Sequence, residues 1–160
     1  MMVSADTKYD KVLEGNSVFS EEESAGQSLF EAKCASCHEG ILFTDQSYRH
    51  NGLSIDLRYN DIGRERVTGL EEDKYKFKVP SLRNIMVSLP YMHDGRFQSL
   101  KEVLDHYDSG VESTQNLDPS LQQGISLGIS LTEIEKNQLI SFLKTLTDDN
   151  FLLDRRFSEF

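Results

Sequence analysis

Apolar positions gather into three short periodic runs, and a long stretch without any period separates the first from the second. Ala25, Leu29 and Ala32, with Phe30 at their edge, share one face of a helix that leads directly into Cys34. Ser20 and Glu23 open it as a capping box: the serine oxygen accepts from the amide three residues on, and the glutamate reaches back. A second capping box, Ser99 with Glu102, introduces Leu100, Val103, Leu104 and Tyr107, which fall at i, i+3, i+4 and i+7 on one helical stripe. The third run, Leu139, Phe142, Leu143 and Leu146, fades at Asp148-Asp149-Asn150. Its start is either Ser130 or Thr132, since each has a glutamate three residues further on.

Between Glu39 and Gln98 no period holds, and Gly40, Gly52, Gly63, Gly69, Pro80, Pro90 and Gly95 punctuate the segment. A short strand at Leu53 to Leu57 is the one regular element the pattern admits there. Irregular segments of this length inside a compact domain usually have a task, and wrapping a ligand is one. Residues 1–17 are polar and irregular, and read as an arm or linker. The expected organisation is one all-α domain over 18–150, followed by a tail at 151–160.

Composition narrows the function classes. The chain has 160 residues, enough for one domain with a real core, yet only 38% are hydrophobic. A large flat cofactor could supply part of such an interior. The formal charge of −10 disfavours a nucleic-acid binder, whose footprint is basic. It suits either steering of a basic protein partner or simple solubility. No apolar stretch approaches the roughly 20 residues of a membrane span. Met1 to Gly15 lacks the basic-then-apolar order of a signal peptide.

The chemistry is concentrated in Cys34-Ala35-Ser36-Cys37-His38, which contains both cysteines of the chain. In a c-type haem site two thiols add to the porphyrin vinyl groups and the adjacent histidine supplies a nitrogen to the iron. One turn of chain between Cys34 and Cys37 sets both sulfurs against one edge of the ring and swings His38 over the metal. A structural zinc site would need further ligands, and there is no other cysteine. A thioredoxin-like dithiol would want a βαβ context, which the pattern lacks. The sixth iron position has several candidates: Met92, His93, His106, Tyr107, Met86 and His50. Tyr107 continues the inward stripe of Leu100, Val103 and Leu104, as an ordinary buried tyrosine would, while His106 is rotated away by one residue. Met92 follows Pro90 in a loop, a position suited to a thioether ligand. Spacing alone leaves the sixth ligand open.

The stretch Lys76-Phe77-Lys78-Val79-Pro80-Ser81-Leu82-Arg83-Asn84-Ile85, followed by Leu89-Pro90-Tyr91-Met92-His93-Asp94-Gly95-Arg96-Phe97, resembles the bacterial di-haem cytochrome c peroxidase family, which includes MauG-like proteins. Ser99 to Leu104 and Leu143 to Thr147 are similar as well, and the likeness runs from about Tyr9 to Asp149. It is a likeness to the C-terminal of two haem domains, which implies a c-type-cytochrome-like fold whose long loop wraps one covalent haem c. It also implies a second haem domain outside this chain, a periplasmic location and a redox protein partner, either a small cytochrome or a protein substrate. The peroxidases carry a methionine ligand at the position matching Tyr107, whereas MauG-like proteins carry a tyrosine there. The resemblance therefore makes Tyr107 the preferred sixth ligand and Met92 the alternative. It sets His93 near a haem propionate and assigns a calcium ion partly to the backbone carbonyls at Ser88 and Pro90. Arg83 and Arg96 are either propionate partners or surface arginines. The implied activity is electron handling for peroxide reduction or for oxidation of a protein partner, with weak turnover by the isolated domain. A stand-alone single-haem electron carrier is the alternative.

Overall fold

The computed structural model describes residues 4–156. Helix α1 (Lys8–Leu13) starts at a capping box formed by Thr7 and Asp10. The chain here is not the arm that its polarity suggested. Tyr9 packs edge-on to Phe43 at 5.0 Å and also meets Phe142 and Phe19, and its amide donates to Thr145 O at 3.1 Å. Six residues are too few to display a period, and most of the anchoring is polar. Arg83 donates to both carboxylate oxygens of Asp10 at 2.8 Å, and its Nε–H donates to Ile41 O at 2.8 Å. Ahead of α1, Ser4 Oγ and the amides of Ala5 and Asp6 all donate to one oxygen of Asp148.

Helix α2 (Glu21–Lys33) opens at the Ser20–Glu23 capping box and closes on Cys34, whose amide donates to Phe30 O at 2.8 Å. The next regular element is β1 (Tyr48–Arg49), followed by the short α3 (Glu65–Thr68) and by β2 (Phe77–Lys78), which pairs antiparallel with β1. Leu53 to Leu57 forms no strand. The Leu53 amide donates to Asn51 Oδ1 and the Ser54 carbonyl accepts from Arg96, so these backbone groups are satisfied by side chains instead of a ladder. Ile55 and Leu57 point outward.

Helix α4 (Leu100–Asp105) begins at the Ser99–Glu102 box and gives way to a π turn over His106–Gly110. A small ribbon of β3 (Gln122–Gln123) and β4 (Ser126–Leu127) precedes α5 (Glu133–Lys144), whose cap is Thr132 and not Ser130. Helix α6 (Asp149–Leu152) straddles the boundary at 150 expected between domain and tail, and residues 157–160 of that tail lie outside the described residues. The fold is thus mainly helical, with two short ribbons where an all-α chain was expected.

Helices α2 and α5 form the centre. They cross so closely at Gly26 that a Cβ there would stand 2.0 Å from Gln138 O. Phe30, Phe142, Leu139 and Leu146 fill the contact, with Leu100 and Leu104 of α4 closing one side. Among the described residues no helix is long and apolar enough to cross a membrane.

Candidate functional site

A cavity of about 450 Å³ opens between the end of α2, the irregular segment and α4. That size lies within the range of about 300–1,000 Å³ common to small-molecule and cofactor sites. Its walls are largely apolar, with Val79, Leu82, Ile85, Val103, Leu139 and Leu143 among them.

Cys34, Cys37 and His38 stand together on one wall. Helix α2 ends at Cys34, and the amides of Cys37 and His38 both fold back onto Cys34 O, at 3.2 and 3.0 Å. That turn brings the three side chains to the same rim. Burial pushes the Cys34 thiol up to about 12. The His38 Nδ1–H donates to Phe43 O at 3.1 Å, which leaves Nε2 as the nitrogen free to bind a metal. Burial also lowers the pKa of His38 below its ordinary value and favours the neutral imidazole that a metal needs.

Tyr107 faces the same cavity from the π turn, and Met92 and His93 line it as well. Burial pushes the Tyr107 phenol up to about 12, against a smaller lowering influence of the Asn51 side chain. The turn that holds it is clamped from three sides. Ile129 N donates to Tyr107 O at 2.6 Å, and Leu131 N to Asp108 Oδ1 at 2.9 Å. Gly128, at φ +81°, passes where a Cβ would meet Tyr107 O at 2.3 Å. Met92 adopts φ +72°, an uncommon backbone state for a side chain of its size.

The remaining candidates separate clearly. Met86 packs on the main core away from the cavity. His106 is buried behind Tyr107 with Nε2–H donating to Asn51 O at 3.0 Å. His93 lies at the cavity mouth, stacked on Phe77 with ring centroids 3.7 Å apart. Ser88 and Pro90 are exposed at the cavity rim. His50 is only 2% exposed, accepts at Nδ1 from Gly52 N–H at 2.9 Å, and has no partner for Nε2 among the described residues. The two arginines weighed against propionates both have partners within the chain. Arg83 is spent on Asp10 and Ile41. Arg96 ties Asp94 to Ser54, with bonds of 2.8 Å to Asp94 Oδ2 and 2.7 Å to Ser54 Oγ.

These residues fit a haem. Two thiols and an imidazole with a fixed tautomer share one wall, the body of the cavity is apolar, and a buried donor on His50 awaits a polar margin. Zinc fits worse, because no cluster of three His, Cys, Asp or Glu side chains among the described residues could hold a metal ion.

Fold and cavity together define a cytochrome c domain. The family model for cytochrome c matches residues 23–147, and the chain belongs to that family, whose cofactor is covalently bound haem c. Within it the chain is similar to the methylamine utilization protein MauG of Methylorubrum extorquens, with 35% identity over 150 residues, covering 91% of this chain and 40% of that protein. It is likewise 32% identical to the cytochrome c551 peroxidase of Nitrosomonas europaea, over 92% of this chain and 41% of the relative. The crystal structure of a MauG-like protein associated with microbial copper homeostasis superimposes with a TM-score of 0.81 and 34% identity, over 97% of this chain and 55% of that one. The chain thus spans about 40% of the length of these curated relatives.

Sequence reasoning missed Asn51 and Arg49. Arg49 lines the cavity and bridges Asp45 and Asp118 at 2.6 and 2.9 Å. Asp118 is 69 residues away, so no local spacing could announce the bridge.

Proposed function

We propose that this chain is the C-terminal, electron-handling haem domain of a di-haem peroxidase or MauG-like oxidase. In this reading one haem c is bound to Cys34 and Cys37, with His38 Nε2 on the iron and Tyr107 as sixth ligand. The observation that carries it is one cavity lined by two thiols, a pinned imidazole and a half-buried phenol. When bound, the haem supplies one-electron chemistry at iron. His38 gains basicity from its bond to the Phe43 carbonyl. Tyr107, as phenolate, favours ferric or more oxidised iron, where a thioether would raise the potential. The His50 Nε2–H, and His93 at the mouth, are the groups available to the propionates.

The complete protein would reduce hydrogen peroxide with electrons from a cytochrome, or oxidise a protein partner, in the periplasm. The isolated domain turns over peroxide slowly because Tyr107 fills the position peroxide needs. Calcium at the Ser88 and Pro90 carbonyls would depend on ligands from the second haem domain. One observation favours the stand-alone carrier instead: the Met92 thioether also lines the cavity, and His/Met ligation is the electron-relay arrangement.

The test is the absorption spectrum of the chain exported alongside c-type haem maturation machinery. A haem band that survives denaturation, without a methionine-to-iron charge-transfer band, is the expected result, and Tyr107→Phe should change the ferric spectrum. A methionine band in the wild type would move the sixth position to Met92. A chain that retains no haem would overturn the assignment.

A further inference from the structure

Asn51 lines the cavity beside Met92, one of the two candidates for the sixth position, and its own bonds fix which way it points. Its carbonyl accepts from His106 Nε2–H at 3.0 Å. Its Oδ1 accepts from the Leu53 amide at 3.3 Å, which settles the orientation of the side-chain amide. The Nδ2 end is left facing the cavity, where one N–H is directed at Met92 Sδ, 3.4 Å away. Tyr107 lines the same cavity, and the Asn51 side chain draws the phenol's pKa down against burial. The platform beneath it does not move freely: His50 O accepts from Asp118 N at 3.0 Å and Gly52 O from Glu112 N at 2.9 Å. A Cβ on Gly52 would meet Val111 Cγ1 at 2.5 Å.

We propose that Asn51 is a positioning residue that selects the iron's sixth ligand: its amide N–H occupies the Met92 sulfur and so leaves the position to Tyr107. The inference rests on the reading that Tyr107 is that ligand. The N–H on sulfur engages a lone pair that the metal would otherwise use. Without Asn51 the thioether is released to compete with the phenol for the iron.

The experiment uses the haem-loaded chain. Asn51→Asp keeps the side-chain shape and the acceptor for the Leu53 amide but removes both N–H groups; Asn51→Leu removes the whole polar function. Both should gain a methionine-to-iron charge-transfer band absent from the wild type and shift the reduction potential upward. The band should vanish again in the Asn51→Asp, Met92→Leu double variant. Wild-type spectra and potentials in both single variants, with a changed spectrum in Tyr107→Phe, would overturn the role of Asn51 alone. An unchanged spectrum in Tyr107→Phe would instead overturn the underlying ligand assignment, and the selection with it.

Discussion

Asp10 and Arg83 join segments 73 residues apart, and both side chains are nearly sealed, at 10% and 6% exposure. Hydrogen bonds from Arg83, reinforced by Thr7 and opposed by burial, hold the Asp10 carboxyl down to about 2 from an ordinary 3.8. A carboxylate depressed in the folded state stabilises the fold above its unfolded pKa and ceases to do so as pH falls through the folded one. The loss therefore falls between about pH 4 and pH 2, and amounts to about 2 kcal/mol. Asp10→Asn should cost about 3–5 kcal/mol at pH 7, because it strands a buried guanidinium. It should also flatten that acid limb, as read by urea unfolding of the haem-loaded chain at both pH values. Equal stability of variant and wild type at pH 7 would remove the pair from the account. The pair was invisible in the sequence, where Arg83 read as a propionate partner or a surface residue. Cys34, Cys37 and His38 were visible because their chemistry requires contiguous residues. Asn51 was not, since its partners, Met92 and His106, lie 41 and 55 residues away.

Elements with a repeating apolar face were legible, and those held by side-chain hydrogen bonds were not. Helices α2, α4 and α5 each announced a capping box, and the structure contains all three, but in α2 the buried positions are Gly26 and Phe30, with Ala32 of the expected stripe exposed. Helix α1 has a box as well, but only Tyr9 reaches the core, so its polarity prevailed in the reading. The π turn after α4 leaves no signature in hydrophobic spacing, although it is what presents Tyr107 while His106 turns back to Asn51. At the crossing of α2 and α5 the Gly26 contact with Gln138 leaves no space for a methyl group. Gly26→Ala should cost about 1–3 kcal/mol in urea unfolding of the haem-loaded chain, despite the better helix propensity of alanine. A stabilised variant would mean that the two helices separate at no cost.

For the molecule as a whole, charge is the property that outlasts any single contact. At −10 the surface should accelerate encounter with a positively charged redox partner and repel a negatively charged one. Electron exchange between the haem-loaded chain and a basic cytochrome should therefore slow as salt rises toward 0.15 M, where screening acts over about 8 Å. A rate independent of salt would leave the acidity with a solubility role only. The irregular stretch from Glu39 to Gln98 also makes sense at this scale. It lacks a period because its residues answer to the cavity and to scattered side-chain bonds, such as those of Arg49, Asn51 and Arg96, and not to a helical or strand repeat.

The bonds from Ser4, Ala5 and Asp6 to Asp148 hold segments near the two ends of the fold side by side. Which segment comes first is then set by where the chain happens to be cut. A circular permutant with its ends joined by a short linker, and a new opening at the fully exposed Ile125 between β3 and β4, should keep every packed helix and the cavity intact. The same contact fixes where Ser4 sits, beside the start of α6.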